Sequence, residues 1–172
     1  YTERQFQIFE KATRLFERAG FKNLIKHCAA TGGTMLDKKY HLSAVRVGIG
    51  LYGLYPAREL EVQLPTLRLK RVLSWRTIVT EVKHVPTGSF VGYDLTERVR
   101  RPTKIAVLPI GYWHGFPRAL SSSGQTLING RRAKVLGRVS MDLTVVYATG
   151  IQVRPGDIAT LIGLQKTEEI TA

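Results

Sequence analysis

The strongest constraint on the fold of this 172-residue chain is a change in residue pattern near residue 66. Before this point, apolar residues recur at helical spacing over residues 3–19, and Gly20 is suited to end that helix in a left-handed conformation. After it, the pattern favours β-strands and no further helix. We therefore predict two domains: residues 1–66 with α/β character, and residues 67–172 made mostly of β-strands.

Two short apolar stretches in the first domain, residues 21–25 and 44–46, predict strands that each lead into a glycine-rich loop. Glycine leaves backbone amides accessible, and such amides together with a hydroxyl can hold a phosphate group. A tight turn needs the same residues, so each loop alone admits both interpretations. Their repetition after successive strands favours a phosphate site, because such sites recur at the last strand ends of α/β barrels. The two loops are Thr31-Gly32-Gly33-Thr34 and Gly48-Ile49-Gly50.

The second domain contains the clearest turn in the sequence, the dipeptide Asn129-Gly130. Both residue types accept the positive φ angles of a two-residue hairpin, which predicts strands at Gln125–Ile128 and Arg131–Val135. Lys104–Ile110 is a further apolar run of strand length. These segments support the prediction that this domain is mostly β-structure.

The net charge of +13 raises the question of a nucleic-acid partner. The basic residues are spread along the chain, and the local groups at residues 98–104 and 131–134 are not interleaved with aromatic residues as a base-stacking surface requires. We therefore predict a solvated basic face, or one that meets an acidic partner, and no nucleic-acid binding. A basic β-domain that binds nucleic acid is the alternative function from a different class.

Membrane, metal and disulfide chemistry have no signal in the sequence. No apolar run approaches the roughly 18–20 residues of a membrane span, so we expect no membrane partner. The single cysteine, Cys28, excludes an internal disulfide and a thiolate metal cage, and it fits a reducing cytoplasm. The spacing of histidine and acidic residues shows no metal-binding pattern, so no metal is predicted.

Four polar side chains are candidates for chemistry on their position alone. Tyr93 and Tyr112 lie at turns beside strands, and His27 and Arg46 lie near strand ends. A phenol acts as a general base only where a neighbouring cation or dipole makes it more acidic. Tyrosines at such turns also serve as packing residues, and a histidine at a strand end is often an ordinary polar residue. The residues alone leave these alternatives open.

Four segments of the chain form an ordered set: Val45–Pro56, Gly92–Thr96, Pro109–Gly115 and Gly137–Asp142. This set resembles the alanine racemase family, whose corresponding segments read Arg-Pro-Gly-Ile-x-Leu-Tyr-Gly-x-x-Pro, Ser/Gly-Tyr-Gly-x-Thr, Pro-Ile-Gly-Tyr-Ala-Asp-Gly and Gly-Arg-Ile-x-Met-Asp. Each segment alone is modest evidence. The family's order and spacing over essentially the whole chain make the set specific.

The resemblance implies a fold and an activity. Residues 1–66 would be the last units of a (β/α)8 barrel, and residues 67–172 a mostly-β C-terminal domain. The activity would be interconversion of L- and D-alanine with pyridoxal 5'-phosphate by two bases, which supplies D-alanine for peptidoglycan in the cytoplasm. The family forms a head-to-tail homodimer, so the resemblance also implies an active site shared between subunits.

The resemblance carries over five residues that would hold the cofactor. Arg46 would donate to the pyridine nitrogen, and His27 would brace Arg46. Thr31 would contact the phosphate together with the backbone amides of Gly48 and Ile49.

Four residues of the second domain would act on the substrate. Tyr93 would be the catalytic base that removes the α-proton of the L-enantiomer in the partner subunit's site. Met141 would likewise act from the partner subunit, meeting the substrate carboxylate through its backbone N–H. Tyr112 and Asp142 would shape the opening of the site.

The sequence departs from the family pattern at several places. Val47 replaces the usual proline, a tolerable change because proline there only pre-sets φ. Asp94 replaces a small residue beside Tyr93, and Trp113-His114 replaces Ala-Asp. Because the last two changes lie at the substrate opening, the choice between alanine, serine and another small amino acid stays open.

The family's Lys-x-Asn-Ala-Tyr-Gly-His-Gly motif, which carries the cofactor lysine, does not occur in the sequence. We therefore expect the chain to be a portion of a racemase that is inactive by itself. A relative that binds the cofactor without catalysing racemisation is a further alternative.

Overall fold

The computed structural model describes residues 1–172 and divides them into two compact units, Tyr1–Val72 and Leu73–Ala172. The division falls a few residues after the boundary predicted near residue 66. A local contact explains the position: the backbone N–H of Val72 donates to the Tyr52 carbonyl at 3.2 Å. This hydrogen bond keeps the end of the connecting segment in the first unit.

The first unit contains three α-helices and two short 3-10 helices. Helix α1 confirms the predicted amphipathic helix, and the chain leaves it at Gly20, whose φ of +92° is the expected left-handed conformation. None of the helices combines the length and the apolar character that a membrane crossing requires. The elements are α1 (Thr2–Arg18), α2 (Thr31–Leu36) and α3 (Arg58–Gln63), with 3-10 helices at Lys38–Tyr40 and Ile49–Tyr52.

Helix α1 is anchored within its unit by an aromatic contact and a charged cluster. Phe6 packs edge-on against Tyr40, with ring centroids 5.1 Å apart. Glu3 accepts a hydrogen bond from the Tyr40 hydroxyl at 2.8 Å and pairs with Lys39 at 2.7 Å. The hydrogen bond from Lys39 is the main cause that lowers the pKa of the Glu3 carboxyl. The two contacts together fix which face of α1 is turned toward the unit.

The two strands predicted in the first unit, at residues 21–25 and 44–46, are wrong in extent. The structure contains a single parallel bridge, between Ala30 and Arg46, in which the Arg46 N–H donates to the Ala29 carbonyl at 2.9 Å. A strand ladder needs a succession of such bonds, and these stretches do not provide one. The parallel pairing expected of an α/β unit is nevertheless present at this bridge.

The second unit is mostly antiparallel β-sheet, as predicted. Eight strands form one sheet in the order β1-β9-β6-β7-β8-β5-β2, with β10 also paired to β9, while β3 and β4 form a separate pair. The only helical elements are 3-10 helices at Tyr93–Leu95, Tyr112–His114 and Arg118–Leu120. The strands are β1 (Trp75–Ile78), β2 (Glu81–Val85), β3 (Phe90–Val91), β4 (Glu97–Arg98), β5 (Thr103–Leu108), β6 (Gln125–Ile128), β7 (Arg131–Leu136), β8 (Thr144–Tyr147), β9 (Ile158–Gln165) and β10 (Glu168–Ile170).

Strands β6 and β7 form the hairpin predicted from the Asn129-Gly130 dipeptide. Asn129 has a φ of +52° and Gly130 a φ of +76°, which is the left-handed pair that this turn requires. Ile128 and Arg131 are consequently direct partners across the hairpin.

The core of the second unit is formed mostly by side chains from the strands of the large sheet. Leu108, Leu127, Ile128 and Val146 have no exposed surface. The loops that leave this buried framework carry the four candidate residues of the second unit.

Candidate functional site

The glycine-rich loops of the first unit line one cavity of about 470 Å³. Four of the five residues predicted to hold a cofactor lie on its wall: Thr31, Arg46, Gly48 and Ile49. The wall is completed by residues that the sequence argument did not assign, namely Ala30, Gly32, Val47 and Pro56. The sequence could have indicated these four residues. Ala30, Gly32 and Val47 are each next to a predicted residue, and Pro56 ends the Val45–Pro56 segment.

Thr31 ties the two glycine-rich loops together. Its side chain is buried, and its hydroxyl accepts a hydrogen bond from the Gly48 N–H at 3.1 Å. A Cβ atom at Gly50 would lie 2.8 Å from the Thr31 methyl group, so the close approach requires glycine there. The Ile49 N–H has no acceptor within the chain. The cavity therefore presents the Thr31 hydroxyl and the open Ile49 amide, with the Gly48 amide bonded to that hydroxyl beside them, and these donor types suit a phosphate.

Arg46 adds positive charge to this cavity. Its backbone is fixed by the bridge to Ala30, whereas its side chain is exposed and makes no ion pair. His27 is exposed, does not line the cavity and shares no hydrogen bond with Arg46. The structure therefore brings Arg46 to the predicted phosphate site and leaves His27 apart from it.

Tyr93 lies on a strained turn in the second unit. Gly92 has a φ of +80°, and Asp94 has a φ of +60°. The Tyr93 side chain is 63% exposed. Asp94 Oδ2 lies 2.7 Å from Arg138 Nη1, which joins the turn to the segment that begins at Gly137. The Tyr93 phenol thus faces outward from a turn that an ion pair connects to the neighbouring segment.

Tyr112 and Met141 lie on two loops that are in backbone contact. The Tyr112 N–H donates to the Ser140 carbonyl at 3.0 Å, and the Trp113 N–H donates to the Met141 carbonyl at 3.1 Å. A Cβ atom at Gly111 would collide with both of those carbonyl oxygens, so this approach is possible only for glycine. The structure therefore brings together the two segments that carry the candidate residues Tyr112 and Met141.

The Met141 N–H has no acceptor within the chain, and the side chains of Met141 and Asp142 are exposed. Tyr112 carries the Arg118 guanidinium 5.3 Å from its ring centroid. Arg118 was not assigned from the sequence, because nothing local indicates which ring it covers. The surface around these residues offers an open N–H donor, a cation and aromatic rings, which suits a small carboxylate ligand.

Family comparisons cover both units. Residues 72–172 match the model of the alanine racemase C-terminal domain, and residues 1–56 match that of the alanine racemase N-terminal domain. The recognition and the fold class predicted from the sequence are thereby confirmed.

Individual relatives indicate the same family as the two domain models. All of this chain aligns with alanine racemases of Leptospira interrogans, at 37% identity over 178 residues, and Halothermothrix orenii, at 40% identity over 173 residues. It spans 46% and 45% of those two proteins, so it corresponds to less than half of each.

Solved structures show the same fold. The alanine racemase of Bacillus anthracis with bound L-Ala-P superposes with a TM-score of 0.93 at 33% identity, over 99% of this chain and 44% of that one. The alanine racemase of Clostridium difficile 630 in complex with cycloserine gives a TM-score of 0.88 at 30% identity, over 97% of this chain and 44% of that one. On the family models, the relatives and the fold, the chain belongs to the alanine racemase family.

Proposed function

We propose that this chain supplies the phosphate cradle and the second proton-transferring base of an alanine racemase that uses pyridoxal 5'-phosphate. The observation that carries the proposal is the single cavity lined by Thr31, Arg46, Gly48 and Ile49. The relatives that bind L-Ala-P and cycloserine support a small amino acid as the substrate. D-alanine supply for peptidoglycan and a cytoplasmic location accompany this proposal.

The residues of the cavity fit the proposed cofactor. The Thr31 hydroxyl and the amides of Gly48 and Ile49 would hold its phosphate, and the Arg46 guanidinium would donate to its pyridine nitrogen. When bound, the cofactor draws electron density away from the substrate Cα. Because an arginine side chain stays protonated at neutral pH, Arg46 would keep the nitrogen it faces unprotonated. A cofactor with an unprotonated nitrogen would withdraw electrons less strongly, so the reaction would depend more on well-placed bases.

Tyr93 would be the base for the L-enantiomer. We propose that its deprotonated hydroxyl, the phenolate, takes the proton from Cα of L-alanine, and that the phenol so formed returns the proton to the same face in the reverse reaction. Its outward position on the Gly92–Asp94 turn supports a role in the site of a partner subunit in a homodimer. The Met141 N–H would bind the substrate carboxylate, and Tyr112 and Asp142 would shape the opening.

His27 is included in the proposal as the brace of Arg46. Its support is the family resemblance, since no hydrogen bond joins the two side chains in the structure. Alanine is proposed as the substrate over serine because the relatives are alanine racemases and one of them binds L-Ala-P. The experiment compares the two substrates directly.

The test is a chimera in which the residues of the Halothermothrix orenii relative that precede its match to Tyr1 are fused to this chain. We expect the chimera to bind pyridoxal 5'-phosphate and to racemise L- and D-alanine faster than serine. Tyr93→Phe should lower turnover at least about 100-fold, the effect of losing a positioned base. Tyr147→Phe, a control on β8 outside the site, should leave turnover within about twofold, because it keeps the half-buried ring and removes only the hydroxyl.

Two outcomes would contradict the proposal. Full turnover in the Tyr93→Phe chimera would remove Tyr93 from the mechanism. Stoichiometric cofactor binding without racemisation, in a folded chimera, would support the alternative of a non-catalytic relative.

A further inference from the structure

A second cavity, of about 880 Å³, lies within the β-rich unit and shares no lining residue with the first. Four cationic side chains and one carboxylate line it. Its walls come from several turns at strand ends, and no aromatic residue is among them. The lining residues are Lys104, Asn129, Arg131, Gly150, Ile151, Gln152, Val153, Arg154, Asp157 and Lys166.

Two of the cations are held in place by adjacent backbone carbonyls. Lys104 Nζ donates to the Ile151 carbonyl at 2.6 Å, and Arg131 Nη1 donates to the Gly150 carbonyl at 2.8 Å. Each bond uses one N–H of a group that has several. The remaining donors are therefore already positioned, and a ligand would not have to order them.

The turns around these cations are cross-linked. Asn129 Nδ2 donates to the Gln152 carbonyl at 2.7 Å, and the Gly130 N–H donates to Gln165 Oε1 at 2.9 Å. A Cβ atom at Gly130 would lie 2.8 Å from the Lys166 side chain, so Lys166 packs directly on the hairpin turn. The turns of the cavity wall are thus bonded to one another rather than independent loops.

Three of the four cations in this cavity have no carboxylate partner in the protein. Asp157 accepts from the Arg154 N–H and from Asn129 Nδ2, both at 3.0 Å, and its ion pair is with the Arg154 side chain. Lys104, Arg131 and Lys166 make no ion pair. Unpaired cations gathered in a concave site raise the local concentration of anions.

We propose that this cavity binds a small anion with two or more linked phosphate groups, either free or attached to a nucleoside. The three cations without a carboxylate partner exceed the charge of about −2 that a single phosphate carries, whereas linked phosphates match it. A nucleic-acid strand is disfavoured, because the lining offers no aromatic platform for bases. A chain of phosphates can contact Lys104, Arg131 and Lys166 at once through charge-assisted hydrogen bonds.

The experiment is calorimetric titration of the full chain with inorganic tripolyphosphate, adenosine triphosphate and orthophosphate. We expect tripolyphosphate to bind at least about tenfold more tightly than orthophosphate, and the affinity to fall as salt is raised. Equal affinity for the two polyphosphates would assign the site to a free phosphate chain. Tighter binding of the nucleotide would assign it to a nucleoside polyphosphate.

Charge-removing variants locate the binding. The double variant Lys104→Met, Arg131→Met should weaken tripolyphosphate binding at least about tenfold, which corresponds to one lost charge-assisted bond. The exposed Lys166→Met should weaken it severalfold and keeps the test valid if the double variant fails to fold. A matched control, Arg76→Met with Lys134→Met, removes the same charge outside the cavity and should change affinity less than twofold.

Three results would overturn the proposal. Equal weakening by the control and cavity variants would mean nonspecific attraction to a basic protein. Loss of binding in Arg46→Met would place the anion in the cavity of the first unit. Binding of a single-stranded oligonucleotide that the cavity variants abolish and tripolyphosphate does not displace would make the surface a nucleic-acid site.

Discussion

Asp94 and Arg138 form an ion pair, with 2.7 Å between Asp94 Oδ2 and Arg138 Nη1, directly beside the proposed base Tyr93. Asp94 also has a φ of +60°, which aspartate and asparagine tolerate better than most side chains. The resemblance marked Asp94 as a departure from the family, where a small residue is usual. In the structure, the aspartate at this position has an ion-pair partner, Arg138, on the neighbouring segment.

Two replacements of Asp94 should distinguish what its charge contributes to stability from what its backbone conformation contributes. Asp94→Asn should cost less than about 1 kcal/mol in unfolding free energy, because the ion pair is exposed to solvent. Asp94→Val should cost about 1–2 kcal/mol more, because a branched side chain is strained at positive φ. Urea unfolding followed by tryptophan fluorescence measures both, since Trp75 and Trp113, the only tryptophans, lie in the second unit. Equal losses would show that backbone strain is unimportant there.

Gly111 should tolerate no side chain. Gly111→Ala should destabilise the second unit by about 3 kcal/mol or more, because the added methyl group overpacks against the Ser140 and Met141 carbonyls. Gly156→Ala is the control: its φ of +92° is unfavourable for alanine, but nothing lies near its Cβ position. That change should cost only about 1–2 kcal/mol. A larger loss at Gly156, by the same fluorescence assay, would refute this account of the contact.

The stability lost when a leucine of the sheet is truncated should depend on how deeply that leucine is buried. Leu127 is fully buried, whereas Leu164 is 57% exposed. Leu127→Ala should lower the unfolding free energy by about 2–5 kcal/mol, through lost burial and the cavity that remains. Leu164→Ala should lower it by less than about 1 kcal/mol, as is usual for surface positions. Denaturant midpoints at constant slope give the comparison, and similar shifts for both variants would be inconsistent with the burial seen here.

Asp157 should make stability depend on pH. The hydrogen bond from the Arg154 N–H is the main cause that lowers the pKa of the Asp157 carboxyl in the folded protein. Folding therefore favours the ionised form, so this contribution is present at neutral pH and is lost as the pH falls through the lowered value. Asp157→Asn should reduce stability at neutral pH and differ less from wild type in acid. Thermal unfolding across this range tests it, and a constant difference would refute the linkage.

Thr31 should matter for cofactor affinity through its hydroxyl. In the chimera, Thr31→Val should weaken binding of pyridoxal 5'-phosphate about tenfold or more, since it removes one charge-assisted donor to the phosphate. Thr31→Ser keeps the hydroxyl and should bind nearly as tightly as wild type. Equilibrium dialysis with the cofactor distinguishes the two, and equal affinities would exclude the hydroxyl from the phosphate site.

Local chemistry was enough to predict part of the fold. The Asn129-Gly130 hairpin was predictable because its two central residues alone satisfy the left-handed turn. Helix α1 was predictable because its apolar spacing and the terminal Gly20 agree. The stretch after residue 67 also looked β-prone, yet the first strand begins only at Trp75. Part of the preceding stretch is held instead by backbone hydrogen bonds within the first unit, from Leu67 to Leu64 and from Val72 to Tyr52.

The site was predictable only in part, for a similar reason. The family segments named Thr31, Arg46, Gly48 and Ile49, and the structure places them on one cavity. Local sequence could not reveal that Arg138 would reach Asp94, or that Lys104 would be fixed by a carbonyl at residue 151. Such pairings depend on which strands become neighbours, and strand order is a property of the whole sheet.

The pairing of β1 with β9 joins the first strand of the β-rich unit to one near its end. Contacts between residues so far apart in sequence form slowly, because a long loop must close first. During synthesis, Trp75–Ile78 therefore emerges from the ribosome long before its partner exists. The nascent chain exposes an unpaired strand throughout that interval, the condition under which incompletely folded chains are prone to aggregate.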